Sequence, residues 1–362
     1  MKILMAASAR STNTASLVEG LANCGDEVHV ATLHPGPLPA ATVHSLGAAS
    51  RGLSRTAFLA AVPAFRRLHR MLAPDITLGY YASSYGVLTA FAPGPRVVAT
   101  AGGDVLREAQ DSALRRLAIP LLARLALSRA DLVLCWAPHL ARAARALGAT
   151  DSRIMTLPRG IDTELFRVPD RPPEHPPTIV STRALDPFYR PGVLLDAFAL
   201  ARSQGLEARL VFVGDGPAAP ELRDRSASLG MDGVVTFTGR LTVVELAERL
   251  RHSHVYASFP KSEGLSASLL EAMATGLLPV VNDLAANTEW VRDGANGLTV
   301  REPVTPASIA AALRRAVDDA SLATWAREKN PVLVRQLASR SANALRFHDA
   351  FRELARSRGR DV

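Results

Sequence analysis

Two doubly wound α/β units, each built on a parallel sheet, are predicted by three observations. Short apolar runs alternate with helical stretches along the chain. The alternation breaks once, at VPDRPPEHPPT (168–178), where five prolines in eleven residues forbid regular structure. The runs are nearly continuous in apolar residues rather than alternating, so each sheet must be covered on both faces.

In the first unit the strands are expected at KILMAA (2–7), EVHVATL (27–33), DITLGYY (75–81), RVVATA (96–101), DLVLCWA (131–137) and RIMTLP (153–158). Turn residues bound each run, and helical stretches such as Ala15 to Asn23 and Ala113 to Ala130 lie between them. After the prolines the pattern restarts with TIVSTR (178–183), RLVFVG (209–214), VVTFTG (234–239), HVYASF (254–259), LLPVV (277–281) and GLTV (297–300). The tail after Trp325 is helical and basic. Phe347 and Phe351 share one face there, so it should dock on a domain. The expected division is a unit over 1–167, a linker over 168–178, a second unit over 179–335, and a helix over 336–362 packing back on the first. Ligands of such sheets bind beyond the carboxyl ends of the strands.

A chain of 362 residues with 48% apolar content can build two ordinary cores. The net charge of +8 does not signal nucleic acid. Only three of the 42 basic residues are lysines, and the arginines are scattered without interleaved aromatics. Cys24 and Cys135 have no metal or redox spacing and are expected as free thiols in a reducing compartment. MKILMAASAR reads as a first strand rather than a signal peptide, and no run reaches the roughly 18 apolar residues of a membrane span. The expectation is a soluble, cytoplasmic protein. Residues 55–72 and 114–130 are basic and amphipathic. They fit first-unit helices, or helices lying peripherally on the inner face of the membrane, and both readings stay open.

The richest segment is SFPKSEGLSASLLEAMATGLLPVVNDLAANTEWVRDGANGLTV (258–300). Glu263 and Glu271 stand eight apart where a loop turns into a helix. Two carboxylates there can grip hydroxyls, while loop amides and the helix dipole hold an anion. Hydroxyls plus phosphate describe a nucleotide sugar. A second reading of Glu271 is structural, since Ser268-Leu-Leu-Glu271 fits a capping box.

Other constellations are weaker. Gly214-Asp215-Gly216-Pro217-Ala-Ala mimics the GxGxxA dinucleotide fingerprint, and it also fits a plain glycine turn. Arg183 ends a strand and Arg190 follows in DPFYRPG; guanidinium groups suit diphosphate, and they equally suit the solvated surface. In the first unit SARSTNT (8–14) and AGGD (101–104) are loops after strands. Asp104 could accept from a substrate hydroxyl, act as a base, or cap its turn.

Together these pieces resemble a family 4 glycosyltransferase of the GT-B architecture, two Rossmann-like parallel-sheet domains facing across a cleft. SEGLSASLLEAMATGLLPVV, ANTEW and DGANGL carry the likeness, preceded in order by GDGP, VTFTGRL and HVYASF. DEVHVATLH, PDITLGYYASSYG, AGGDVL, SRADLV and LPRGIDTELF match more loosely. The resemblance implies a retaining, metal-independent enzyme moving sugar from a nucleoside-diphosphate sugar, with no cofactor. It implies Glu263 on the transferred sugar, Glu271 on the ribose, and the amides of Gly264, Leu265 and Ser266 near sugar and phosphate. Arg183 and Arg190 would meet the diphosphate, and the turns holding Gly214, Asp215, Gly239, Arg240 and Leu241 would flank the donor. Asn13, Tyr80 and Asp104 would face the acceptor, and Glu263, Arg183 and Asp104 form the expected catalytic set. The leaving diphosphate would itself take the acceptor's proton.

The chain departs from the family pattern. No lysine-glycine pair follows Arg183; Tyr189 or Arg190 stands there instead. The histidines of relatives become Leu78, Tyr80 and Asn13, and Trp-Gly-Ser-Asp becomes Ala101-Gly-Gly-Asp104. The altered acceptor side implies an unusual acceptor such as a secondary-metabolite core. A nucleotide-sugar-binding protein without turnover, a membrane-surface enzyme of glycolipid or polysaccharide assembly, and another GT-B activity such as an epimerase remain open. A dehydrogenase rests on GDGPAA alone.

Overall fold

The computed structural model describes residues 1–47, 55–106, 113–171, 173 and 176–362. Side chains of 55, 56 and 113–117, and part of the predicted 168–178 linker, lie outside the described residues. Two compact units form: Met1–Arg159 with Arg340–Val362, and Gly160–Ser339. The chain leaves the first unit ahead of the prolines because Ile161 and Phe166 are buried in the second unit's core. The Ile161 amide also donates to the Ala338 carbonyl at 2.9 Å.

In the first unit the elements run β1 (Lys2–Ala6), α1 (Thr12–Asn23), β2 (Glu27–Thr32), β3 (Thr42–Ser45), α2 (Arg55–Ala60), α3 (Val62–Leu72), β4 (Ile76–Tyr80), a π-helical turn (Tyr81–Tyr85), α4 (Gly86–Thr89), β5 (Arg96–Thr100), α5 (Ala113–Arg129), β6 (Leu132–Cys135), α6 (Pro138–Ala146) and β7 (Ile154–Thr156). The sheet order is β3-β2-β1-β4-β5-β6-β7, all parallel. Strand β3, sequence TVHS, was not among the predicted runs. It has one apolar residue and sits on the edge, where burial imposes little pattern. Of the amphipathic stretches, α5 sinks Ile119, Ala123, Ala126 and Leu127 into the core. Helix α3 buries Phe65 and His69.

In the second unit follow β8 (Thr178–Ser181), α7 (Pro191–Ser203), β9 (Arg209–Val213), α8 (Ala219–Ser228), β10 (Val235–Gly239), α9 (Val243–Arg251), β11 (Val255–Ser258), α10 (Ala267–Ala274), β12 (Leu278–Asn282), α11 (Ala285–Thr288), β13 (Leu298–Val300), α12 (Pro306–Asp318) and α13 (Ala320–Ala338). The order is β10-β9-β8-β11-β12-β13, again parallel. Successive side chains feed opposite layers. Ile179, Leu210 and Phe212 join one apolar cluster with α7 and α12, while Val180, Val211 and Val213 join another with α10 and α13. This is why the strands read as unbroken apolar runs.

Helix α14 (Arg340–Ser357) belongs to the first unit. Phe347 and Phe351 are buried, with Phe347 edge-on to Trp136 at 5.7 Å. His348 Nδ1 lies 2.9 Å from the buried Asp26 carboxylate. No helix among the described residues is long and apolar enough to cross a membrane.

Candidate active site

The second unit gathers polar groups at the carboxyl ends of β8 and β11, where its strand order reverses. Arg183 lies just beyond β8. Its Nη2 donates to Glu263 Oε2 at 2.6 Å and its Nη1 to Ser268 Oγ at 2.9 Å. Ser268 Oγ is in turn 2.8 Å from the Tyr256 hydroxyl, and the Arg183 guanidinium stands 4.3 Å over the Tyr189 ring. Burial alone would lower the Arg183 pKa, but Glu263, Tyr256 and Tyr189 together outweigh it and the net shift is upward. Val180 pairs with Tyr256; two residues further along each strand stand Thr182 and Ser258, whose buried hydroxyls have no hydrogen-bond partner. Orphaned hydroxyls at a switch point are groups that a ligand or a water can satisfy.

Glu263 and Glu271 bracket the start of α10. Ser266 is the N-cap, its hydroxyl accepting from the Leu269 amide, so the capping-box alternative for Glu271 is overturned. Glu271 lies beyond the capped turn, half-buried, because the apolar face of Leu269, Leu270 and Met273 turns onto the sheet. The Gly264 amide donates to Glu263 Oε1 at 3.2 Å.

The GDGP turn packs on the loop after β8. A Cβ at Gly216 would stand 2.4 Å from the Leu185 carbonyl oxygen, and one at Gly214 would stand 2.8 Å from that of Arg183. The glycines therefore serve backbone approach, and Asp215 is exposed with Oδ1 on the Gly216 amide. Gly239 has a positive φ of 73°, Arg240 is exposed, and Leu241 packs against the α10 side of the core. Arg190 is turned away to Glu302 Oε1 at 2.6 Å. Burial opposes ionisation of Glu302, but hydrogen bonds from Arg190 and Asn282 outweigh it and hold its pKa below the usual range. Arg190, Lys261 and Glu302 line a pocket of about 400 Å³.

In the first unit Asp104 is buried, with Oδ2 accepting from the Ala82 amide at 2.6 Å and Oδ1 from the Ala101 amide at 3.0 Å. Burial raises its pKa, and the main-chain donors only partly offset this. The geometry is that of a cap joining the AGGD loop to the π-helical turn. Tyr80 is a core residue, its ring 5.9 Å from Trp136. Its neighbour Tyr81 takes a positive φ of 70°, a conformation costing about 1–3 kcal/mol in a non-glycine residue. Asn13 stands close enough to Tyr81 to favour its ionised form. Burial, then the neighbouring Tyr80 and Asp104, push the Tyr81 phenol upward.

Known proteins bear on both units. The model of Glycosyltransferase Family 4 matches residues 11–165, and that of Glycosyl transferases group 1 matches 162–331. The chain belongs to glycosyltransferase family 4. A D-inositol 3-phosphate glycosyltransferase of Nocardioides sp. is 34% identical over 196 residues, 47% of this chain and 42% of that protein. A phosphatidyl-myo-inositol mannosyltransferase of Mycobacterium tuberculosis is 30% identical over 207 residues, 56% of this chain and 52% of that protein. The chain spans about half the length of the curated relatives it matches. A sucrose-phosphate synthase of Thermosynechococcus elongatus superimposes with a TM-score of 0.83 at 18% identity, covering 99% of this chain and 100% of that one. Anabaena HepE in complex with UDP gives 0.80 at 16% identity, covering 98% and 100%. Identities this low establish the GT-B fold alone.

For this family 4 member, the structure joins Glu263 to Arg183 and withdraws Tyr80 and Asp104 into the core. Sequence reasoning missed Ser268, Tyr256 and Tyr81. In the sequence Ser268 reads only as a helix cap, Tyr256 lies inside the apolar run HVYASF, and Tyr81 differs from Tyr80 only by which side of the strand end it takes. Among the described residues no group of three or more His, Cys, Asp or Glu side chains could hold a metal ion.

Proposed function

We propose that the chain is a retaining glycosyltransferase that moves sugar from a nucleoside-diphosphate sugar, the second unit taking the donor and the first the acceptor. The observation that carries the reading is the Arg183–Glu263–Ser268–Tyr256 network beside α10. It joins a cation, a carboxylate and a helix N-terminus at one strand edge. Glu263 meets sugar hydroxyls, Glu271 the ribose, and Arg183 with the Gly264, Leu265 and Ser266 amides the diphosphate. The departing phosphate takes the acceptor's proton, so catalysis is positioning plus electrostatic stabilisation, without a metal or cofactor. The relative named for D-inositol 3-phosphate supports a small polyhydroxylated acceptor, the class to which a secondary-metabolite core belongs, and the one named for phosphatidyl-myo-inositol supports a lipid-borne acceptor of glycolipid assembly.

The test is a thermal-shift panel with UDP, GDP, ADP, dTDP and NAD, with and without chelator. At about 100 times its dissociation constant a ligand adds roughly 2.7 kcal/mol. One nucleoside diphosphate should stabilise the protein selectively and without metal. Turnover of the matching sugar nucleotide should give a product of retained configuration by NMR. Stabilisation by NAD alone, or an inverted product, overturns the reading.

Peripheral membrane contact is a compatible second reading, favoured by α3. It turns Arg66, Arg67, Arg70 and Met71 outward, with Met71 73% exposed. Co-sedimentation with anionic but not neutral vesicles is expected, and no sedimentation with either rules this contact out.

A further inference from the structure

Two hydrogen bonds and one aromatic ring hold Arg183. Ser268 Oγ and Glu263 Oε2 accept from its two terminal nitrogens, at 2.9 and 2.6 Å. Bonds at that edge alone leave the guanidinium plane free to tilt about the line joining the two nitrogens. The Tyr189 ring, its centroid 4.3 Å from the guanidinium carbon, covers one face and removes that freedom. An aromatic face orients a cation without neutralising it, so the charge stays available to a diphosphate.

The ring is itself held. Tyr189 ends a 3-10 turn (Pro187–Tyr189) that Asp186 caps, its Oδ1 accepting from the Phe188 amide at 2.8 Å. The Phe188 ring stands edge-on to that of Tyr189 at 5.2 Å, and the Phe188 carbonyl accepts from the Lys261 amide at 3.0 Å. The turn is thereby tied to the loop after β11, which carries Glu263. Arg190 follows in the left-handed region, at φ 54° and ψ 42°, a conformation that a non-glycine residue keeps only where its surroundings impose it. One such restraint is the ion pair from Arg190 Nη1 to Glu302 Oε1 at 2.6 Å. Asn282 Nδ2 donates to the same oxygen at 2.7 Å and to the Pro260 carbonyl at 2.8 Å, which ties Glu302 to the β11 loop as well. Of the two arginines expected at the diphosphate, Arg190 is thus engaged in fixing the turn that presents Tyr189.

We infer that Tyr189 is a positioning residue: its ring orients the Arg183 guanidinium toward the donor diphosphate, and the Arg190–Glu302–Asn282 chain holds that ring in place. The role rests on the reading that Arg183 meets the diphosphate of the donor.

The experiment titrates UDP, GDP, ADP and dTDP into the full chain by calorimetry and follows the one that binds tightest. It compares wild type with Tyr189→Phe, Tyr189→Leu, Arg183→Gln, Glu302→Ala and Arg183→Gln combined with Tyr189→Leu. Tyr189→Phe keeps the ring and should bind within about twofold of wild type, whereas Tyr189→Leu should weaken binding about tenfold. Arg183→Gln should weaken it further, and adding Tyr189→Leu to it should change nothing, because no guanidinium remains to orient. A ring that only supports the fold would weaken binding equally in both backgrounds, and that result overturns the role. Glu302→Ala should weaken binding about as much as Tyr189→Leu. Wild-type affinity there, or the tighter binding of a released Arg190 that itself meets the diphosphate, overturns the role. This arm decides alone if Tyr189→Leu does not fold. Wild-type affinity in Tyr189→Leu beside a weakened Arg183→Gln overturns the role and leaves the donor reading intact. Wild-type affinity in Arg183→Gln, or no diphosphate bound by wild type, overturns the reading of Arg183 as the diphosphate ligand and the role with it.

Discussion

Arg183 Nη2 and Glu263 Oε2 are 2.6 Å apart, and their side chains are 15% and 14% exposed. The groups assigned to the diphosphate and to the transferred sugar thus hold each other. Removing one partner of such a pair strands the other charge. Glu263→Gln keeps the shape and removes the charge. Turnover should fall about 10²–10³-fold, as when one group aimed at developing charge is deleted. Nucleoside-diphosphate affinity should stay near wild type. Steady-state kinetics beside calorimetry checks this, and equal losses in both would mean that Glu263 acts only by steadying Arg183.

Glu271 and Ser266 separate a ligand role from a cap. Because Ser266 caps α10, Ser266→Ala should cost about 1 kcal/mol of stability. Glu271→Ala should instead raise the nucleoside-diphosphate dissociation constant about 10- to 100-fold, through lost hydrogen bonds to a charged group worth about 1.5–3 kcal/mol. Melting curves and calorimetry on both variants distinguish the roles. A Glu271→Ala protein that melts early yet binds normally would make this carboxylate structural.

At the GDGP turn, Gly216→Ala would press a methyl to 2.4 Å from the Leu185 carbonyl oxygen. The expected loss is about 1–3 kcal/mol, the range for overpacking a tight contact. Asp215→Asn, at an exposed position, should stay within about 0.5 kcal/mol of wild type. Denaturant melts measure both. An undisturbed Gly216→Ala protein would show that the loop after β8 yields.

What the sequence carried and what it did not follow one physical line. Twelve strands were legible, the central ones because burial on both faces leaves an unbroken apolar run, while the edge strands β7 and β10 are only partly buried. Strand β3 escaped because an edge strand needs only Val43. The Glu263–Glu271 block was legible from spacing along the chain. The Arg183–Glu263 pair joins residues 80 apart in sequence. Such a distance is not written in local pattern. The choice between Tyr80 and Tyr81 depended on where β4 ends, the least legible feature of any strand.

Asp104 carries the last prediction, in its pH dependence. Burial holds its pKa above the ordinary aspartate value despite the amides of Ala82 and Ala101. The folded state therefore keeps a proton where the unfolded chain has lost one. The stability this contributes is fully present below about 3.9, the ordinary aspartate value, and is lost as pH rises through the raised folded value. Asp104→Asn does not titrate. Its amide meets one of the two main-chain donors with a donor of its own, a penalty that is the same at every pH. Wild type should thus lose stability relative to the variant across that acidic window and run parallel to it above. A difference flat from acid to neutral pH would mean that the folded carboxyl titrates normally. Because both oxygens are committed to the main chain, the pH profile of turnover should be unchanged by the substitution. Any loss of rate would then come through the displaced turn that carries Tyr81.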